Sequence, residues 1–383
     1  MMIEVLFFGL STNRGGIETE LYNIWKYIDH SQYHFNYIDM TGEGSLPCYY
    51  DELMHDGCSF YKITPRNVSI NKNKEDIRRL FQDNHFDIFH FNVNTLSYLF
   101  PVQEALLNGC KVIVHSRSSG IAANGKLTRF LHSINRIRLS HMNVCRIAVS
   151  SMAGDWLFGK SHYEVYMSGI PTEEFKFTEE NRKKIREALG CCSKVVIANV
   201  GAFLPAKNHA FMVNVFEKFL VAQPEAVLWF IGDGPGRPNI EHLVQKKGLT
   251  NKILFLGRRT DMQELYAGMD LFWFPSLYEG FGNVLLEAEC EGVPCLISDC
   301  IPQDALLADN TFSFSLGETR ENWIKKMMQA LAAQKVDRTV CYKELEEKGA
   351  SVEAEIKRLD KLYKSVVGEG SLENREVCNF KSS

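Results

Sequence analysis

Short runs of β-branched and aromatic residues alternate with longer stretches of helical periodicity along almost the whole chain. This alternation predicts parallel strands joined by crossover helices, and the nearly continuous apolar runs are typical of strands covered on both sheet faces. In the first half the predicted strands are Ile3–Phe8, Phe35–Met40, Ser59–Ile63, Asp87–Phe91, Val112–His115 and Arg146–Val149. The helical patterns there are Ile17–Ile28, Lys74–Asp83, Leu96–Leu107, Lys126–His141 and Met152–Phe158.

The pattern restarts after Gly and Pro interrupt it at Ser168–Pro171, which predicts a domain boundary. The expectation is two doubly wound α/β domains, residues 1–168 and 169–351, with a helix at about 352–366 packing back on the first domain. Residues 367–383 are polar and unpatterned, and a disordered tail is expected. The later predicted strands are Lys194–Val200, Ala226–Ile231, Lys252–Leu256, Leu271–Phe274 and Cys295–Ser298. The later helical patterns are His209–Ala222, Gly236–Lys247, Met262–Ala267, Asn283–Glu291, Glu321–Ala332, Tyr342–Glu347 and Val352–Tyr363.

Length and composition agree with two ordinary globular domains. A chain of 383 residues exceeds what one core usually supports. The net charge of -4 argues against a nucleic-acid partner, and no apolar run has the length needed to cross a bilayer. Eleven cysteines without a signal-peptide pattern predict reduced thiols and a cytoplasmic protein.

The strongest candidate site follows the apolar strand Leu271–Phe274. Glu279 precedes a glycine-containing turn, Gly280–Asn283, and Glu287 lies just inside the helix that follows. The amide groups at a helix N-terminus attract phosphate, and glycines let the backbone approach a ligand closely. The two carboxylates could accept hydrogen bonds from sugar and ribose hydroxyls. The alternative is a tight turn followed by an ordinary helix start with acidic residues.

The segment Phe274–Ala288, FPSLYEGFGNVLLEA, resembles the two-glutamate signature of family 4 of the retaining glycosyltransferases. The resemblance extends from near Ile3 to near Ser365 and is closest to bacterial capsule and exopolysaccharide enzymes. It implies the GT-B architecture, two Rossmann-like domains facing across a cleft, and catalysis without a bound metal or other cofactor. By the resemblance, Glu279 would hold the donor sugar and Glu287 the ribose. The backbone amides of Gly280, Phe281, Gly282 and Asn283 would hold the diphosphate.

The same resemblance gives weight to five further residues. Gly15 and Gly16 would face the donor phosphates, Lys207 would stabilise the departing diphosphate, and His115 would face the transferred sugar. Arg258 would lie beside the nucleotide base. Without the resemblance, a plain turn, a structural histidine and a solvated arginine are the ordinary interpretations.

Two departures from the family pattern affect the expected chemistry. Ala202 stands where the family usually has an arginine, so one of two cations for the leaving group is missing, and Arg14, Arg117 or Arg258 could substitute. Ser168 and Pro171 replace polar residues in the hinge region, where altered interdomain contacts are expected.

A basic stretch, residues 105–154, contains no acidic residue. Within it, Leu127, Phe130, Leu131, Ile134 and Ile137 follow helical spacing, which predicts a buried apolar stripe with Lys126, Arg129 and Arg136 on a solvated face. The alternative is that this surface meets the inner leaflet of a membrane and a lipid-diphosphate acceptor, so peripheral attachment there stays open.

The sequence as a whole predicts a retaining, metal-independent glycosyltransferase. It would move a hexose from a nucleoside-diphosphate sugar, with UDP as the expected nucleotide, to a lipid-linked precursor of a surface polysaccharide. The N-terminal domain would bind the acceptor and the C-terminal domain the donor, with specificity in loops such as Thr41–Leu46 and Ser118–Gly125. Two alternatives are a non-catalytic sugar-nucleotide-binding subunit and a GT-B nucleotide-sugar epimerase.

Overall fold

The computed structural model describes residues 2–120, 125–333 and 336–368. Positions 121–124 of the predicted specificity loop Ser118–Gly125, and residues 369–383 of the predicted tail, lie outside the described residues. The described chain divides into two compact units. The first unit runs to Gly169 and resumes at Val352, and the second unit is Ile170–Ser351.

Seven parallel strands form the sheet of the first unit. They are β1 (Ile3–Phe8), β2 (Tyr33–Asp39), β3 (Ser59–Lys62), β4 (Ile88–Val93), β5 (Lys111–Ser116), β6 (Cys145–Ala148) and β7 (Glu164–Val165). Their order is β3-β2-β1-β4-β5-β6-β7. Strand β4 is buried at every position, as expected for a central strand covered on both faces. The order reverses between β1 and β4, which is the point where doubly wound sheets bind ligands.

The helices of the first unit include one that returns from the end of the chain. They are α1 (Gly16–Tyr27), α2 (Tyr50–His55), α3 (Ile70–Asp83), α4 (Phe100–Leu107), α5 (Lys126–Ser140), α6 (Ser151–Phe158) and α14 (Val352–Val367). Helix α14 contributes Leu359, Leu362 and Tyr363 to the hydrophobic core around β1 and β2. The Tyr363 hydroxyl also lies 2.8 Å from Nδ1 of His90 on β4. The last described helix is therefore part of the first unit's core.

The second unit contains six parallel strands. They are β8 (Val196–Val200), β9 (Val227–Ile231), β10 (Ile253–Gly257), β11 (Leu271–Phe274), β12 (Cys295–Ser298) and β13 (Thr311–Phe314). The order β10-β9-β8-β11-β12-β13 is that of a Rossmann sheet and reverses between β8 and β11. Leu271 of β11 pairs with Ile197 of β8 in parallel register. The carboxyl ends of β8 and β11 therefore define the expected binding crevice of this unit.

The helices of the second unit are α7 (Glu179–Ala188), α8 (His209–Phe219), α9 (Arg237–Lys246), α10 (Met262–Gly268), α11 (Asn283–Cys290), α12 (Arg320–Ala332) and α13 (Cys341–Glu347). Short 3-10 turns occur at Thr172–Phe175, Pro205–Lys207 and Gln303–Ala305. Trp229, Trp273 and Trp323 are fully buried in the core of this unit. Across the described residues of both units, no helix is both long and apolar enough to span a bilayer.

Helix α7 was absent from the sequence prediction because its residues, EENRKKIREA, carry no apolar stripe. Charge holds it in place instead. Arg182 Nη2 lies 2.6 Å from Oδ1 of Asp270, and Arg186 pairs with the other carboxylate oxygen. Asp270 is buried at the start of β11 and also accepts a hydrogen bond from the Val196 amide. Strands β7 and β13 and helix α2 were also missed.

The predicted orientation of α5 was wrong. Leu127, Phe130 and Ile137 were expected to be buried, but they are exposed on the described surface. The buried face carries His132 and Asn135, which bond to the backbone of the segment after β4. These polar bonds decide which side of the helix faces inward, and hydrophobic spacing alone does not reveal them.

Candidate functional site

Two loops meet at the switch point of the second sheet. The first follows β8 and contains the 3-10 turn Pro205–Lys207, and the second follows β11 and leads to Gly282. The Leu277 amide donates a hydrogen bond to the Ala206 carbonyl at 2.7 Å, and the Asn208 side-chain amide donates to the Pro275 carbonyl at 3.2 Å. These bonds join the loops directly, so residues distant in sequence are held side by side.

An ion pair spans these two loops. Nζ of Lys207 lies 2.7 Å from Oε1 of Glu279, and the two side chains are only 16% and 14% exposed. The same ammonium group lies 4.5 Å from the centroid of the Phe274 ring, a cation–π distance. The structure thus brings together two residues for which the sequence predicted separate roles, one for the phosphates and one for the sugar.

The turn after Glu279 creates a helix N-terminus beside this pair. Gly282 caps α11 with φ 98°, a left-handed conformation that favours glycine. The amide groups that open a helix point toward its N-terminal end, where no earlier helical carbonyl is available to them; of those in α11, the Leu285 amide donates to the Gly282 carbonyl at 2.7 Å. Phe281 is buried, so its side chain packs in the core and holds the turn in place. The groups of the turn that could bind a ligand are therefore its backbone amides. An anionic diphosphate suits this position.

Glu287 lies on the second turn of α11 and is held by a tyrosine from α10. The Tyr266 hydroxyl donates its single proton to Oε2 of Glu287 at 2.8 Å, and its oxygen also lies 3.1 Å from the Val284 carbonyl oxygen. Burial raises the pKa of Glu287 to about 7, and the hydrogen bond from Tyr266 opposes that rise. Sequence reasoning missed Tyr266, because a tyrosine inside a helical pattern gives no sign of the carboxylate it will meet.

A glycine-containing loop after β9 packs against the loop after β8, a contact that the sequence did not predict. A Cβ on Gly232, whose φ is 137°, would lie 2.2 Å from the Gly201 carbonyl oxygen. A Cβ on Gly236 would lie 2.7 Å from the carbonyl oxygen of Phe203. The loops after β8 and β9 therefore touch backbone to backbone. The available signal was three glycines within five residues directly after a predicted strand.

The cations proposed to replace the missing arginine are not equivalent. Arg117 is buried in an ion pair with Glu20 in the first unit, and Arg14 of the same unit lies 4.7 Å from the Tyr49 ring centroid. Arg258 is exposed and follows Gly257 at the carboxyl end of β10, in the same unit as Lys207. Among the three, Arg258 is therefore the cation at the ligand-binding edge of this sheet.

The glycine pair of the first unit opens α1 at the switch point between β1 and β4. Gly15 is the residue before the helix, and Gly16 is its first residue. The Gly15 amide donates a hydrogen bond to Oε2 of Glu18 at 3.1 Å, while Ser11 donates to the other oxygen of Glu18 at 2.5 Å. The Glu18 carboxylate therefore already accepts the hydrogen bond of the Gly15 amide. A phosphate would have to compete with this carboxylate for that amide.

His115 is placed inside the first unit and is 1% exposed. Its Nδ1 lies 3.1 Å from Nε2 of His90, and its ring contacts the Arg117 guanidinium. Burial, together with the charge of Arg117, places the pKa of His115 well below the ordinary value, so the ring is neutral. Arg117 in turn pairs with Glu20, which accepts a hydrogen bond from Ser168 near the end of the unit. Contact between His115 and a sugar stays a prediction.

No three His, Cys, Asp or Glu side chains of the described residues are grouped as metal ligands would be.

Comparison with known proteins identifies the class of the second unit. Residues 181–344 match the family model described as glycosyl transferases group 1. The chain is a glycosyltransferase with a group 1 domain. The matched residues include Lys207, Glu279, Glu287 and the glycine turn. The site described above therefore lies within the part of the chain that matches the family model.

Relatives extend the similarity beyond that domain. The chain is 29% identical over 365 residues to a putative glycosyltransferase, EpsF, of Bacillus subtilis, covering 92% of this chain and 94% of the relative. It is 23% identical over 319 residues to an Escherichia coli enzyme named UDP-Gal:alpha-D-GlcNAc-diphosphoundecaprenol alpha-1,3-galactosyltransferase, covering 78% of this chain and 80% of that one. These two glycosyltransferases are thus similar to this chain across both units.

Solved structures confirm the predicted fold class. HepE of Anabaena, solved with UDP and glucose, superposes with a TM-score of 0.77 at 18% identity, covering 95% of this chain and all of that chain. WaaG, a lipopolysaccharide glycosyltransferase, superposes with a TM-score of 0.71 at 15% identity, covering 96% and 100%. The two Rossmann-like domains are those of the GT-B fold.

Proposed function

We propose that this glycosyltransferase moves a hexose from a UDP-sugar to a lipid-linked precursor of a surface polysaccharide, with retention at the anomeric carbon and without a metal. The observation that carries the proposal is the Lys207–Glu279 ion pair at the switch point, beside the N-terminus of α11. This arrangement offers a cation and helix amides to a diphosphate, and a carboxylate to sugar hydroxyls.

The comparisons support the choice of donor and acceptor. HepE, with the same fold, has been solved with UDP-glucose. The name of the E. coli relative specifies a UDP-galactose donor and an acceptor sugar linked to diphosphoundecaprenol. Glu287, with its pKa near 7, suits the hydroxyls of a ribose, since its ionised form accepts hydrogen bonds and its neutral form also donates one.

The Lys207–Glu279 pair would balance the charge that develops during the reaction. When the donor binds, its diphosphate shares the Lys207 ammonium with Glu279, and the sugar hydroxyls donate to the carboxylate. As the glycosidic bond breaks, negative charge grows on the leaving diphosphate, and the interaction with Lys207 strengthens. The acceptor hydroxyl attacks from the face that the diphosphate leaves, and the diphosphate takes its proton. Lys207 and the α11 amides provide the positive charge that a metal ion supplies in other transferases.

The test combines binding and transfer. Purified full-length protein is screened by thermal shift with UDP, UDP-glucose, UDP-galactose and GDP-mannose. It is then assayed for transfer to a diphosphoundecaprenol-linked sugar with and without EDTA. We expect stabilisation by UDP-sugars, EDTA-resistant transfer, and the donor's anomeric configuration in the product by NMR. Stabilisation without transfer would favour the non-catalytic subunit, for which Ala202 is the motivating observation. Conversion of the donor without acceptor would favour an epimerase. Preference for GDP-mannose, or an inverted product, would contradict the proposal.

A further inference from the structure

A buried chain of three hydrogen-bonding side chains runs from α14 to the carboxyl end of β5 in the first unit. The Tyr363 hydroxyl lies 2.8 Å from Nδ1 of His90, and Nε2 of His90 lies 3.1 Å from Nδ1 of His115. The three side chains are at most 1% exposed. The two imidazole rings are tilted by only 21° with centroids 5.3 Å apart, so their facing nitrogens meet edge to edge, as a hydrogen bond between rings requires.

All three groups of this chain are electrically neutral. Burial lowers the pKa of His90 to about 3 and that of His115 well below its ordinary value, and the charge of Arg117 adds to both effects. Burial raises the pKa of Tyr363 well above its ordinary value. Each group therefore carries one proton that it can donate, which is the phenol proton of Tyr363 and one ring N–H on each histidine.

Three protons and two hydrogen bonds leave one proton without an acceptor at one end of the chain. If Tyr363 donates to His90 and His90 donates to His115, the remaining proton is on Nε2 of His115. If the direction is reversed, the remaining proton is that of the Tyr363 hydroxyl, which has no other hydrogen-bond partner among the described residues. Tyr363 belongs to the hydrophobic core, whereas His115 lies at the carboxyl end of β5, where parallel sheets bind ligands. Because an unpaired buried donor costs free energy, the first direction is favoured where a ligand can supply the missing acceptor.

Arg117 does not oppose that direction. Its Nη1 lies 3.1 Å from Nε2 of His115 and 3.4 Å from Nδ1 of the same ring. A donor on the lone-pair axis of one ring nitrogen would be much farther from the other nitrogen, so this guanidinium lies over the face of the ring. Its carboxylate partner is Glu20. Arg117 therefore does not hold Nε2 of His115 as an acceptor.

We propose that Tyr363 sets the direction of this chain through His90, so that His115 carries its proton on Nε2 and is a hydrogen-bond donor. His115 is then not a general base, because the nitrogen that is not bonded to His90 already holds a proton. This arrangement follows from residues of the first unit alone. Its use in transfer, donation from His115 to an oxygen of the bound sugar, rests on the proposed function. In that reaction Tyr363 is a positioning residue.

The first test measures the proton positions in the full chain labelled with nitrogen-15 histidine. Long-range proton–nitrogen correlation spectra separate protonated from unprotonated ring nitrogens, and His90→Gln and His115→Gln assign the two rings by the loss of their signals. We expect both rings to be neutral at pH 7, with Nε2 protonated and Nδ1 unprotonated. A proton on Nδ1 of His115, or an imidazolium at either position, would overturn the proposal.

The second test changes the hydroxyl that sets the direction. Tyr363→Phe keeps the ring in the core and leaves Nδ1 of His90 without a donor. The ratio of the Nε2–H form of His115 to its Nδ1–H form should therefore fall roughly fivefold, as expected for the loss of one neutral hydrogen bond. The matched control is Tyr33→Phe, because Tyr33 is also buried and its hydroxyl donates to Asp360 of the same helix at 2.8 Å, not to His90. The ratio should keep its wild-type value in the control, and an equal change in both variants would show that packing of α14, and not the Tyr363 hydroxyl, sets it.

A third measurement separates this proposal from the proposed function. The UDP-sugar that stabilises the protein most should shift the Nε2 proton resonance of His115, and UDP alone should not, because only the sugar supplies a new acceptor oxygen. An unchanged resonance in the sugar-bound protein would contradict the contact between His115 and the sugar. If no UDP-sugar binds, the proposed function fails, while the spectra of the free protein still decide the proton positions.

Discussion

Nζ of Lys207 lies 2.7 Å from Oε1 of Glu279, across a sequence separation of 72 residues. The ammonium proposed to neutralise the leaving diphosphate is therefore already bonded to the carboxylate proposed to hold the sugar. On that proposal a donor would insert into this pair, and changing one partner alters the charge that the other presents.

The first prediction is that Glu279 and Lys207 act on different parts of the donor, the sugar and the nucleoside diphosphate. Glu279→Gln should lower transfer on the order of a hundredfold, because an ionised acceptor for the sugar is lost. UDP itself should bind as tightly as before or a few-fold more tightly, since Lys207 no longer has a competing carboxylate. Lys207→Met should weaken UDP binding instead. Calorimetry with UDP, beside steady-state kinetics, measures both. Equal loss of UDP binding in the two variants would show that Glu279 and Lys207 do not act on separate parts of the donor.

The second prediction concerns Glu287 and pH. With a pKa of about 7, Glu287 gains charge between pH 6 and 8 and then accepts ribose hydrogen bonds more strongly. UDP affinity should rise roughly fivefold over that range, as expected for a charge-assisted bond. Tyr266→Phe removes a bond that lowers the pKa of Glu287, so the rise should move to higher pH.

The control for this prediction is Glu287→Gln, whose side chain cannot titrate. Any pH dependence of UDP affinity that remains in this variant comes from other groups, including the phosphate of UDP. Titration calorimetry across pH gives all three profiles. If Glu287→Gln keeps the full wild-type pH dependence, the group that titrates is not Glu287.

The third prediction uses a buried carboxylate away from the ligand. Glu291 is fully buried, 3.8 Å from Arg338, and burial raises its pKa to about 8. Because this folded pKa exceeds the unfolded one, the folded state holds the extra proton. The stabilisation is present at low pH and is lost as pH rises toward and through about 8. Glu291→Gln mimics the protonated form, so its stability relative to wild type should grow from pH 5 to pH 8.5 by on the order of 4 kcal/mol, at about 1.4 kcal/mol per pH unit below the folded pKa.

Urea unfolding of both proteins at several pH values measures that difference. Glu347→Gln makes the same charge change at an exposed position and should show no such trend. A pH-independent gap between Glu291→Gln and wild type would mean that Glu291 does not titrate on folding.

The fourth prediction tests the missing cation. Ala202 is exposed in the loop between β8 and Lys207, so a longer side chain has room there. Ala202→Arg should raise the transfer rate on the order of tenfold by adding positive charge for the leaving diphosphate. Ala202→Gln has similar length without the charge and serves as the control. Equal rates in the two variants would indicate that another cation, such as Arg258, already fills this role.

Much of the site could be predicted because its parts are local. The strand Leu271–Phe274, the glycine turn and the helix that carries Glu287 are contiguous, and the structure has them in that order. Tyr266 could not be predicted as a partner of Glu287, because their contact depends on how α10 packs against α11. The loop after β9 could not be predicted either. Its glycine at position 232 is required because a side chain there would meet the backbone of Gly201 in another loop.

The sequence by itself determined the alternation of strands and helices, the Rossmann-like class of both domains, and the segment from Glu279 to Glu287. Those features follow from periodicity and from contiguous residues, which propensity and hydrophobic burial act on locally. Only the tertiary structure decided that Lys207 pairs with Glu279, that His115 is enclosed by His90 and Arg117, and that α5 turns its apolar stripe outward. Each of these depends on hydrogen bonds or charges supplied by distant segments. For α5, those bonds determine which face is buried, against the choice that hydrophobic spacing alone would make.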